Sequence, residues 1–164
     1  MQFRMETSVN REIMVVHTLP QSLAVVRVET NAAELTEEIE KAFTTVYAAV
    51  QSGKIQQPGQ NIIVYRQLSS GEVEVECGVQ VPGPFADLDE VASRETPAGR
   101  AATMAHHGPY DRLGETHAAL IAWVRSHGLR PTGMLWEVYG DWSENPDELR
   151  AQVFHQVAEK ELDL

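Results

Sequence analysis

The sequence is short of three things, and each shortage narrows what the chain can be. Among its 164 residues there is a single cysteine, Cys77, so no internal disulfide forms and no multi-thiolate metal site can be assembled. Such a chain suits a reducing compartment. Positive charge is also scarce, with 13 lysines and arginines against 24 aspartates and glutamates and a net charge of −11 at neutral pH. Binding a phosphate backbone needs clustered cations, so direct nucleic-acid recognition is not expected. The acidity suits a protein that attracts cationic partners. Long apolar runs are the third shortage: none approaches the roughly 18 residues of a membrane span. The longest, Ile13–Val16 and Ile62–Tyr65, are strand-sized, and Met1–Glu6 lacks the apolar core of a signal peptide. A cytoplasmic location is therefore expected.

What is present is globular composition, with 43% hydrophobic and 23% charged residues. The length fits one domain against a prior of about 150 residues. Two segments have helical periodicity. In Glu34–Gln51 the residues Leu35, Ile39, Ala42, Phe43, Val46, Tyr47 and Val50 recur at steps of three and four, with a start near Asn31 and a stop at Gly53. The second helix is expected over Pro109–His127, with Pro109 in the first turn and Gly128 at the stop. Strands are expected at Leu23–Glu29, Asn61–Gln67, Glu72–Val79, Arg100–His106, Met134–Tyr139 and Arg150–Val157, with a turn at Leu68–Gly71 and a loop from Pro82 through Glu90. Glu72–Val79 alternates strictly, so Val73, Val75, Cys77 and Val79 share one face.

The order strand, helix, strand, strand then occurs twice. Gly59 precedes Tyr65 by the same interval that separates Gly133 from Tyr139, which registers Ile63 against Glu137 and Tyr65 against Tyr139. Two diverged units, about 21–81 and 97–157, are expected to form an α+β fold. In it, duplicated β-α-β-β units make one antiparallel sheet with both helices on one face and a ligand cleft on the other.

The segment Gly133–Tyr139 is the richest in chemistry. Alternation sends Trp136 and Val138 one way and Leu135, Glu137 and Tyr139 the other. A carboxylate among such neighbours either reaches solvent or a satisfying donor, or it stands in an aromatic-lined cleft awaiting a cationic or hydrogen-bond-donating ligand. Tyr65 and Glu76 are further cleft candidates from their strand phases, although Glu76 reads first as a solvated strand glutamate. Trp142 either closes over a ligand or caps the core, and Trp123 reads as a core anchor. The adjacent His106 and His107 point to opposite strand faces, and His117 and Cys77 are far off in sequence, so no metal site is expected. No cofactor is expected either: Pro82-Gly-Pro lacks the lysine of a phosphate loop, and no serine has a nucleophile-elbow context.

The motifs Gly108-Pro-Tyr110-Asp-x-Leu113, His117-Ala-Ala-Leu-x-Ala-Trp123 and Gly133-x-x-Trp-Glu137-x-Tyr139 resemble the second half of the GyrI-like small-molecule-binding domain. This is also the effector-binding domain of AraC- and MerR-type multidrug-sensing regulators, and is related to the SOUL fold. Leu19-Pro20 and Val75–Val81 extend the resemblance over nearly the whole chain. It implies a cleft between the two halves in which Glu137 meets lipophilic, often cationic compounds. Tyr139 would be its same-face neighbour, and Tyr110 would sit at a helix start near the rim.

Three functions follow as expectations. The first is a stand-alone module binding amphipathic cations, for drug or toxin sensing or sequestration. Residues 1–20 are too few for the DNA-binding segment of the related regulators, so a regulatory role would require a separate DNA-binding partner. The second is hydrolysis of strained-ring electrophiles, as some GyrI-like proteins perform, with Glu137 as base and Tyr139 or Tyr65 as hydrogen-bond donor. The third is a protein-interaction module, since the family's namesake inhibits DNA gyrase and an acidic surface can mimic nucleic-acid charge.

Overall fold

The computed structural model describes residues 12–159; Met1–Glu6 lies outside them. Strands β1 (Met14–Thr18) and β2 (Ser22–Thr30) lead into helix α1 (Leu35–Gln51), which is followed by β3 (Asn61–Gln67), β4 (Val73–Gln80) and β5 (Ala92–Glu95). Then come β6 (Gly99–His107), helix α2 (Leu113–Ser126), β7 (Pro131–Tyr139) and β8 (Arg150–Val157). The eight strands form one sheet in the order β1-β6-β8-β7-β3-β4-β2-β5, and every pairing in it is antiparallel. The fold is α+β, as expected. The order β6-β8-β7 on one side of the centre mirrors β3-β4-β2 on the other, so the two β-α-β-β units meet along β3 and β7, where Ile63 pairs with Glu137.

Local chemistry accounts for the elements. The left-handed φ of +81° at Gly53 and +71° at Gly128 provides the two helix stops. Asn31 accepts the Glu34 amide at 3.1 Å in a turn before α1, which places the first helical residue at Leu35. The second helix is shorter than its periodicity suggests, because Tyr110–Arg112 forms a separate 3-10 turn before Leu113. The turn at Leu68–Gly71 is closed by the Leu68 amide donating to the Glu72 carbonyl at 3.0 Å. At Gly78 an added Cβ would lie 1.9 Å from the Ala24 carbonyl oxygen, so glycine alone permits the approach of β2 to β4 there.

The sheet curls strongly. Its two ends approach each other where Thr18 Oγ1, closing β1, donates to the carbonyl of Pro97 just past β5 at 2.9 Å. The Gln21 amide donating to Thr96 Oγ1 at 2.8 Å and the Thr96 amide donating to Gln21 at 3.0 Å extend the β2–β5 ladder. Curling packs the middle of the concave face: Leu23, Val25, Ile62, Val64, Ala101 and Trp136 are buried together. Trp136 stacks on Phe154 with centroids 4.9 Å apart and planes 8° apart. An aromatic pair of this kind adds about 0.5–1.5 kcal/mol to what area burial supplies.

Both helices lie on the other, convex face. Helix α1 covers β2 and β4 through Ala42 and Val46, and α2 covers β6 and β8 through Leu113, Leu120 and Val124. Val75, Cys77 and Val79 point to the helices as their alternation predicted. Glu137, however, does not lie on the face away from the helices: it shares the helix-bearing face with its pair mate Ile63 and with Cys77. The face away from the helices is packed at its centre and carries toward one end a cavity of about 440 Å³ lined by Arg66, Glu76, Arg94, Met134 and Gln156 among others.

Candidate functional site

The gap between α1 and α2 runs over β3 and β7, and strand phase decides what lines it. β7 opens with an irregularity between Pro131 and Leu135, where Gly133 takes a φ of +94°. Past this bulge the strand alternates regularly, with Trp136 and Val138 packed into the concave core and Leu135, Glu137 and Tyr139 on the helix side.

Glu137 is only 3% exposed. An ionised carboxylate so placed costs several kcal/mol unless donors and counter-charge satisfy it. Three donors do. Tyr139 Oη donates to Oε1 at 2.5 Å, and Tyr65 Oη donates to the same oxygen at 3.1 Å. His117, from α2, places Nε2 at 2.6 Å from Oε2. Since the carboxylate accepts, the proton in that contact belongs to His117. His117 Nδ1 in turn lies 2.8 Å from Nε2 of His155 on β8. A chain of polar groups thus runs from the two tyrosines through the carboxylate to two imidazoles.

The electrostatics of the chain follow from burial. The Tyr65 and Tyr139 hydroxyls are held far above their ordinary range, first by desolvation and then by the Glu137 charge, so both remain donors. Cys77 is pushed up to about 12 by burial, reinforced by Glu137 and Glu76, and stays a thiol. His155 is lowered to about 4 by burial and by His117, which keeps it neutral at physiological pH.

Beside this chain lies a cavity of about 450 Å³, lined by Gly114, His117 and Ile121 of α2 and by Gln67, Leu135 and His155 of the sheet. Its volume is that of a site for a drug-sized molecule. Glu137 does not line it; the ring of His117 stands between cavity and carboxylate.

The structure brings together three of the residues singled out in the sequence, Glu137, Tyr139 and Tyr65. Tyr110 stands one layer back. Its hydroxyl donates to the Arg150 carbonyl at 3.0 Å, and its ring meets Tyr139 edge-on at 4.9 Å, so it braces that tyrosine from the side. Glu76 is not part of the cluster. It projects from the opposite face of the sheet, where it pairs with Arg94 at 3.6 Å beside an Arg27–Glu74–Arg66 bridge. Trp142 neither caps the core nor lines the cavity: it is 74% exposed in the loop after β7. Trp123 packs against the α2 core, with its ring stacked on His127. His106 is buried, its ring nitrogens on Thr116 Oγ1 at 2.7 Å and the Pro109 carbonyl at 2.9 Å.

On sequence alone His117 reads only as a remote metal-ligand candidate, and His155 does not stand out. Their signals were nevertheless there. His117 lies on one helical stripe with Ile121 and Val124, and His155 alternates with Val153 and Val157, so each is a titratable group on an apolar face.

An antiparallel sheet of two β-α-β-β units, with a cavity under one helix and a buried carboxylate between the two, defines a small-molecule-binding domain. Residues 11–158 match the GyrI-like small molecule binding domain, and the chain belongs to that family. Among solved structures it is similar to the C-terminal domain of EcmrR, at 16% identity and a TM-score of 0.69 over 91% of this chain and 98% of that one. SAV2435 bound to tetraphenylphosphonium is similar at 10% identity and a TM-score of 0.68, covering 90% and 94% of the two chains. A hydrolase from Listeria innocua is similar at 12% identity and a TM-score of 0.57, covering 90% and 92%. No curated protein matches the sequence significantly.

Proposed function

We propose that this domain captures lipophilic organic cations in the gap between α1 and α2, with Glu137 as the counter-charge and the rings of Tyr65 and Tyr139 as walls. The observation that carries this reading is the carboxylate itself, 3% exposed and placed between the helices of a small-molecule-binding fold. Among the described residues its ion-pairing partner is a histidine rather than an arginine or lysine. A permanent cation repays the desolvation of such a carboxylate, and each ring face adds about 0.5–2 kcal/mol toward it. The tetraphenylphosphonium seen in SAV2435 belongs to that protein, and it is a suitable probe because it offers charge and rings without a hydrogen-bond donor.

Holding is favoured over hydrolysis by the state of the tyrosines. Tyr65 and Tyr139 both donate their hydroxyl proton to Oε1 of Glu137, which leaves neither free to donate to a leaving group.

Calorimetry with tetraphenylphosphonium and with neutral triphenylphosphine oxide tests the reading. Glu137→Gln should weaken the cation at least tenfold, about 1.4 kcal/mol, while changing the neutral compound less than twofold. Equal losses for the two ligands would refute a charge-reading role.

A further inference from the structure

His117 occupies an unusual position. Its Nε2 lies 2.6 Å from Glu137 Oε2, on the carboxylate oxygen that the tyrosines leave alone. A ligand cation approaching from the cavity would have to reach that same oxygen, and the imidazole stands in its path. The ring also has somewhere to go. A helical side chain swings toward the turn preceding its own Cα, and the residue waiting there is Gly114. A Cβ built on Gly114 meets nothing within 4 Å, and this glycine lines the same cavity. The side chain of His117 is 19% exposed, against 4% for Glu137, so the imidazole can reach solvent without disturbing the sheet.

We propose that His117 is a removable plug: its imidazole takes the place of the ligand's cationic group on Oε2 of Glu137, swings over Gly114 when a ligand enters from the adjoining cavity, and by that exchange sets which cations are admitted. This rests on Glu137 being the ligand's counter-charge. A ligand gains only the difference between its own contact with the carboxylate and that of the imidazole it displaces, because a site filled from within taxes every guest equally. Weakly interacting cations are thereby excluded. His155, which meets Nδ1 of His117 at 2.8 Å, holds the ring in the closed position.

The test removes the plug and then supplies it from solution. In His117→Ala, tetraphenylphosphonium should bind at least fivefold tighter than in the parent. Free imidazole at millimolar concentration should compete with it in the variant but not in the parent. Imidazole binding to His117→Ala, followed by NMR, should disappear in His117→Ala/Glu137→Gln. His117→Gln keeps an amide donor on the helix and guards against a folding artefact; it should tighten tetraphenylphosphonium less and show no competition by imidazole. Weaker tetraphenylphosphonium binding in both His117 variants would overturn the proposal, making His117 a ligand contact, and so would the absence of Glu137-dependent imidazole binding in His117→Ala. If imidazole binds there as expected while tetraphenylphosphonium binds neither protein, the plug stands and the lipophilic-cation reading falls.

Discussion

The two halves of the sheet use the same scaffold for opposite ends. Ile63 on β3 and Glu137 on β7 pair across the centre of the molecule. In the first half, Ile63 is buried with Ala42, Val75 and Cys77 beneath α1. In the second, Glu137 meets two tyrosines and His117 beneath α2. The seam is apolar on one side and holds on the other a polar chain whose groups demand partners, one of them, Tyr65, lent by the first half. Tyr139 joins the two, packing against the apolar clusters under both helices while donating to Glu137. An expensive carboxylate is carried there between apolar cores on both sides of the seam.

Making the halves alike should do the greatest damage. Ile63→Glu would set a second carboxylate directly across from Glu137, with no donor arranged for it, and is expected to cost about 3–5 kcal/mol in denaturant midpoints at neutral pH, with partial recovery on acidification. A smaller effect should separate the halves by pH. His155 titrates near 6.5 in the unfolded chain and about 4 in the folded one, so between those values the unfolded state binds more protons. Its contribution to stability is present above about 6.5 and lost as the pH falls toward about 4, both values following from the same shift. Urea midpoints should decline over that window, and His155→Gln should flatten the slope; an unchanged slope would mean that another group carries it. The smallest effect is expected at Glu76. As it pairs with Arg94 on the far face of the sheet, Glu76→Gln should alter tetraphenylphosphonium affinity less than twofold, and a larger change would put that face in the site after all.

Much of this arrangement is written in local periodicity. Strict alternation in β4 and β7 sorts Val75, Cys77, Glu137 and Tyr139 onto their observed sides relative to their own neighbours. The equal spacing of Tyr65 and Tyr139 from preceding glycines places both hydroxyls near one carboxylate. What alternation does not reveal is which side of the sheet bears the helices, for that depends on long-range packing of residues such as Ala42, Val46 and Leu120 against it. That is why the sequence groups Glu76 with Glu137 although the two lie on opposite faces. β5, Ala92–Glu95, is short and carries Arg94 and Glu95, so it has no apolar rhythm to betray it. Trp142 lies in a loop, where composition gives no phase at all.

The alternation of β7 has a mechanical meaning as well. Trp136 and Val138 are wedged into the concave core on either side of Glu137, so sliding this strand by one step would drag an indole out from under the sheet and bury the acid among hydrocarbons. The floor of the pocket is consequently rigid. Accommodation of differently shaped guests must fall to the roof, through rotamers and small tilts of α2, and relatives with other tastes should differ there first.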